Sequence, residues 1–238
     1  MKKRGLISLI LITMASLPAC MEGLSPSQIT EPRVLALRVT TTTIAASSTA
    51  AAYLVEALTH EVEELKYSVC VSPWVPTETG VECTSLDFPL PPGPTALSTF
   101  IDIAAYPIPD EYLQTIKELY VRADDENETI TPTIFKLDLQ SAPENPAIKA
   151  IKIANESPED WIPSIGDHEV TLEYEEGFDS SGIISSFYTT TGSFGPWRSF
   201  DGDPSTLTLD AVDGPINLYV ISRVQGKGSS WIQAEINQ

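Results

Sequence analysis

The sequence predicts an all-β protein of two tandem β-sandwich domains behind an exported leader, and three observations carry that prediction. Apolar residues alternate with polar ones in many short segments, which is the period of a half-buried strand. A polar stretch with two prolines, Ser141 to Pro146, divides these segments into two blocks. The chain opens with three bases, Lys2, Lys3 and Arg4, followed by an apolar run from Leu6 to Leu17 that is too short to span a bilayer comfortably. Its 238 residues, 42% of them hydrophobic, are enough for two cores. With 33 acidic residues against 14 basic ones, the net charge of −19 excludes nucleic acid as a partner, because that affinity comes from Lys and Arg displacing counterions.

Taken in order, residues 1–19 read as a signal peptide. Its end, Leu17-Pro18-Ala19-Cys20, resembles the lipobox of bacterial lipoproteins, with Pro18 in the less usual middle position. The resemblance implies a diacylglycerol on the Cys20 thiol and cleavage just before it; ordinary signal-peptidase cleavage, leaving a free thiol, is the alternative. Met21, where an aspartate commonly signals inner-membrane retention, implies through the same resemblance transit to the outer membrane of a Gram-negative bacterium. Acyl chains bury about 0.8 kcal/mol per methylene and anchor without a transmembrane helix. Residues 20–32 are polar, carry prolines and lack periodicity, as expected of a lipidated flexible tether.

The first domain is expected over residues 33–142. Val34, Ala36 and Arg38 alternate with Leu35, Leu37 and Val39, and Tyr67, Val69 and Val71 alternate with Lys66, Ser68, Cys70 and Ser72. Thr99–Ala105, Leu119–Ala123 and Thr133–Leu139 are further strands, with the acidic turn Asp124 to Glu128 between the last two. Residues 50–66 are ambiguous: Leu54, Leu58, Val62 and Leu65 make a helical stripe among good helix formers. Pro109-Asp110 before Tyr112, Ile116 and Leu119 reads as a short capped helix. With Cys20 assigned to lipid, Cys70 and Cys83 are the remaining pair and read as a disulfide closing a loop with Pro73, Pro76 and Gly80. Zinc is disfavoured for want of neighbouring ligands.

The second domain is expected over 147–238. Ile151 and Ile153 open it; Val170, Leu172 and Tyr174 face away from Glu169, Thr171 and Glu173; Ile183–Thr190 and Leu207–Ala211 follow. Ile216–Arg223 and Ser229–Ile236 close it across Gln225-Gly226-Lys227-Gly228. Short strands at such intervals indicate Ig-like sandwiches.

The opening strand Pro32 to Val39, the Leu65–Cys70 strand, Phe187 to Phe194, Asp201-Gly202-Asp203-Pro204 and Ile216 to Val220 together resemble bacterial surface lipoproteins with tandem Ig-like (PKD-type) modules behind the lipobox. That resemblance favours Tyr53–Leu58 and Leu65–Val71 as two strands over a helix. Thr40–Ala52 departs from it, since a Pro/Gly turn is usual there. It implies no catalytic residues.

Chemistry-bearing motifs are few. His60 and His168 stand among acids and read as turn residues; no Gly-x-Ser-x-Gly, phosphate loop, dinucleotide fingerprint or His-Glu-x-x-His occurs. Asp124, Asp125, Glu126, Glu128 and Asp201, Asp203 are calcium candidates without EF-hand spacing, read as solvated turns. Trp74 and Trp197 in loops, Trp231 in a strand and Trp161 raise a glycan platform but read as packing residues. The expectation is therefore a lipid-anchored binding, adhesion or structural module rather than an enzyme, with no cofactor or metal. Its partner would be a protein or glycan of the envelope, and an envelope hydrolase is the alternative.

Overall fold

The computed structural model describes residues 25–42, 52–77, 80–85, 87–90, 93, 95–102, 116–125, 130–139, 142–224 and 228–237. The leader, Cys20, most of the expected helix at 109–119 and acidic residues 126–128 lie outside them. The protein is all-β, with no helix among the described residues.

The first sandwich uses β1 (Arg33–Thr42), β2 (Ala52–His60), β3 (Lys66–Cys70), β4 (Trp74–Thr77), β5 (Gly80–Cys83), β6 (Asp87–Pro89), β7 (Ser98–Asp102), β8 (Glu118–Asp124) and β9 (Thr133–Asp138). One sheet runs β1-β2-β7, the other β6-β3-β8-β9, and β4 pairs with β5 alone. The second uses β10 (Ile148–Ile153), β11 (Gly166–Tyr174), β12 (Ile183–Thr189), β13 (Ser193–Gly195), β14 (Arg198–Phe200), β15 (Ser205–Leu209), β16 (Ile216–Val224) and β17 (Gly228–Ile236). Its sheets run β10-β11-β15-β13 and β14-β12-β16-β17. Lettered along the chain, both sandwiches set A-B-E against C′-C-F-G, the Ig-type arrangement, with β13 added beside the E strand in the second.

The described part of the ambiguous segment 50–66 is strand, not helix: β2 covers Ala52–His60, and β3 begins at Lys66. Tyr53, Val55 and Ala57 enter the first core while Glu56 on the other face binds Arg38, its carboxylate 2.9 Å from the guanidinium. Pairing with β1 on one side and β7 on the other satisfies the β2 backbone, and this tertiary gain overrides helix propensity.

Strict alternation fails in β1. Val34 pairs with Thr59 and Ala36 with Leu58, so Leu35 is an extra, bulged residue. The bulge changes the phase: Val34, Leu37 and Val39 point into the first core, and Leu35 and Ala36 point out of it. The outward pair is nonetheless buried, because it meets Tyr219 and Ile221 of β16, with Ile29, Leu58, Tyr188 and Trp231 around them. This third apolar cluster joins the sandwiches. An antiparallel sheet ordinarily leaves one face in water, and here the first sandwich covers that face of β12-β16-β17.

Polar contacts hold the same interface. The His60 Nδ1 and the Tyr219 hydroxyl are 3.0 Å apart in a buried position. The Ser229 hydroxyl donates to Leu37 O at 2.5 Å, and an Arg223 guanidinium nitrogen donates to Leu35 O at 3.3 Å. Asn145, in the proline-bearing connection, donates to Val39 O at 2.9 Å and accepts from Ser229 N at 3.0 Å. A Cβ on Gly228 would lie 2.6 Å from the Asn145 Oδ1 and 2.7 Å from Glu144 O, so only glycine lets the connection pass there. The connection is thus a clamp bonded to both sandwiches.

The expected tether is also altered over part of its length. Ser25–Thr30 lies against the second sandwich before the chain enters the first: Thr189 N donates to Ser27 O, Ile29 N to Thr189 O, and Phe194 N to the Ser27 hydroxyl at 2.7 Å. Short β14 covers only Ile184–Ser186, leaving the backbone of Thr189 open, and this segment satisfies it.

Candidate functional site

Where the two sandwiches meet, a groove of about 470 Å³ remains open. Ala36 and Leu37 of β1 with Gly228 and Ser229 of β17 line one part of it. Ile184 and Ser186 of β12, Arg198 of β14 and Arg223 of β16 come from the outer face of the second sandwich. Opposite stand Thr133, Ile134, Phe135 and Lys136, four consecutive residues of β9. Neighbouring strand residues point to opposite faces, so four in succession reach one groove only when the strand presents its edge.

The β9 edge is unpaired: β9 is terminal in its sheet and pairs only with β8. β1 is terminal in the facing sheet and pairs with no strand but β2, while its Leu35, Leu37 and Val39 carbonyls accept from Arg223, Ser229 and Asn145. Among the described residues, the backbone of Thr133–Lys136 has no hydrogen-bond partner beyond the β8 ladder. A second depression of about 380 Å³ shares Thr133 and continues the furrow past Pro132 and Ile130 along Glu31–Val34.

The electrostatics of the groove oppose those of the chain. Its lining has three cations and no carboxylate, although acids outnumber bases 33 to 14 overall. Arg198 rests 4.0 Å over the Trp197 ring, and neither it nor Arg223 is ion-paired among the described residues. Lys136 is bonded to Glu118; that hydrogen bond raises the lysine pKa, and it leads, with the Tyr120 hydroxyl second, in lowering the Glu118 pKa. Two guanidinium groups of the lining therefore have no carboxylate partner among the described residues, although Arg223 also donates to Leu35 O.

The residues singled out in the sequence fall elsewhere. Cys70 and Cys83 form a disulfide with their Cα atoms 5.8 Å apart, and the expected loop between them is the β4–β5 hairpin, with Trp74 opposite Cys83. Neither histidine is a turn residue. His60 ends β2, 9% exposed at the interface, because it can bond Tyr219; His168 lies within β11, its Nε2 2.7 Å from Ser164 O and its ring against Trp161. Asp124 binds Arg122, Asp125 accepts from Ile130 N, and Asp201 accepts from Gly182 N at 2.6 Å. No group of three potential metal ligands occurs among the described residues.

Trp74 and Trp161 are buried, the former donating its indole N–H to Tyr120 O at 3.1 Å. Trp231 lies beneath Arg38 at the interface and Trp197 beneath Arg198 at the groove. Sequence reading missed Arg198, Arg223 and the β9 edge. The available signal was the placement of two arginines on strands in an acidic chain, which acquires meaning only once β14, β16 and β9 are brought together.

No helix among the described residues is long and apolar enough to cross a membrane. No protein-family model matches this chain, and no curated protein does. Among solved structures, it is similar to fibronectin(III)-like modules of Clostridium thermocellum CbhA at 13% identity, covering 84% of this chain and 93% of that one, with a TM-score of 0.26.

Proposed function

We propose that the chain is a lipid-anchored cell-envelope protein, acylated at Cys20 and acting as a binding or structural module. The groove carries this reading: a free strand edge and two unpaired guanidinium groups line it, whereas no histidine, cysteine or carboxylate does. Hydrolysis would call for a nucleophile activated by a base, whereas the Ser229 hydroxyl donates to Leu37 O and the one lysine of the lining, Lys136, is bonded to Glu118. The clamp and the shared apolar cluster support a binding role by holding the groove walls without help from a ligand. Anchoring through acyl chains would display this groove from the outer membrane to a partner in the envelope.

The anchor is tested by Cys20→Ala, which should abolish acyl mass and the cleaved, membrane-held form; partition of the unaltered protein into the aqueous phase of a detergent extraction would contradict it. The module is tested by placing a photo-crosslinking residue at Ile134 in the groove or at Ile162, which is 82% exposed elsewhere. A discrete adduct from Ile134 alone is expected. Turnover of an envelope substrate that is lost on groove substitution would overturn the reading.

A further inference from the structure

We infer that the groove takes an extended acidic peptide, which adds to β9 as a further strand; this rests on the reading of the chain as a binding module. Two independent observations converge on that ligand. The first is the open edge of β9, whose outward N–H and C=O groups form the template that a peptide backbone completes. A glycan has no regular ladder of amides to offer it. The second is charge: a carboxylate-free groove with Arg198 and Arg223 unpaired is complementary to anions, in a protein whose surface otherwise repels them.

The geometry limits the ligand further. The four residues of β9 that line the groove, Thr133–Lys136, span roughly 13 Å at about 3.3 Å per residue, which sets a recognised core of about four residues. Side chains of an added strand alternate, so one set faces the second sandwich, where the two guanidinium groups lie, and acids at every other position meet them. Arginine suits this task because its planar fork matches a carboxylate bidentately. The overall negative charge works against encounter at long range, so discrimination lies in the short contacts and tolerates moderate salt.

The test uses the full chain in non-ionic detergent and fluorescent eight-residue peptides followed by anisotropy. A peptide alternating valine and glutamate should bind at least tenfold more tightly than one alternating valine and lysine. Methylating its alternate backbone nitrogens, in either phase, should lower affinity at least tenfold in the phase that faces β9 and little in the other. Arg198→Glu should weaken it at least tenfold; Arg198 is exposed and makes no interface hydrogen bond, so this variant keeps the fold even if Arg223→Glu, which loses the bond to Leu35 O, does not. Amide exchange within Thr133–Lys136 should slow on binding. Equal binding of the lysine peptide, indifference to methylation in both phases, absence of binding by every peptide, or displacement by an anionic polysaccharide without slowed β9 exchange would each overturn the inference. A photo-adduct that forms at another face in the envelope, with no peptide binding here, would remove this inference and leave the module reading standing.

Discussion

The two sandwiches share a strand order and differ in how they close it. Between its C and C′ strands the first diverts into the β4–β5 hairpin and staples it with Cys70–Cys83. At the same place the second has the short strands β13 and β14, and it carries hydroxyls inside the sandwich: the Ser185 and Ser222 hydroxyls are 2.8 Å apart, with Tyr174 3.3 Å from each. The fully buried part of the first core is aliphatic apart from Tyr53 and Tyr67, with Phe135 packed at its margin, and the Tyr67 hydroxyl donates to Leu97 O at 2.7 Å. Burial, with Glu56 second, drives the Tyr67 pKa upward, which keeps that donor protonated. One topology thus tolerates two solutions to the same connection: a covalent restraint on the unfolded chain, or short strands around a satisfied polar seam.

Breaking the second sandwich at its centre should have the largest effect. Phe187 is fully buried, its ring centroid 5.4 Å from that of Phe194, and Phe187→Ala should cost roughly 3–5 kcal/mol in urea unfolding. A loss below about 1 kcal/mol would show that this core collapses around the cavity.

The staple is next. The disulfide closes a loop of sequence separation 13, worth about 3 kcal/mol on the chain-entropy model, so Cys70→Ser with Cys83→Ser should destabilise the first sandwich by that amount and lower the midpoint of its calorimetric transition. From the linker alone, the second sandwich would be untouched. The shared cluster leads to a different expectation: the second transition also moves, by less, because Leu35, Ala36 and Leu58 cover Tyr219 and Ile221. An unmoved second transition would show the sandwiches to be energetically independent. Peptide mapping without reductant should recover Cys70 and Cys83 as one linked species.

The interface comes third. Tyr219→Phe removes the buried bond to His60 and should cost about 1–2 kcal/mol while separating the two transitions further; identical scans would deny that this bond couples them. The smallest effect belongs to Glu118 on the exposed surface of the first sandwich. Its folded pKa is depressed by Lys136 first and Tyr120 second, so its contribution is present above the unfolded carboxylate pKa of about 4.3 and lost as pH falls through the folded value. Glu118→Gln should flatten the acid side of the thermal stability profile slightly, and an unchanged profile would assign the pair no net role.

Much of the strand pattern was legible because alternation over five or more residues has few other readings, as in β8 and β11. The three-residue strands β6, β13 and β14 were not, since segments that short carry no period. Helical spacing left residues 50–66 ambiguous for a related reason: propensity is local, whereas the pairing of β2 with β1 and β7 depends on residues distant in the chain.

What the sequence determined by itself was whatever depends on local periodicity and cysteine arithmetic: the all-β class, two blocks of strands and the Cys70–Cys83 pair. Only the tertiary structure decided the rest. A single bulged residue in β1 turned Leu35 and Ala36 outward and gave the second sandwich an apolar surface to sit on. Asn145 became a clamp because two backbone groups 106 and 84 residues away met at its side chain. The groove exists because a strand edge, two arginines and a glycine from four separated strands converge there, and convergence across such distances leaves no period in a sequence to read.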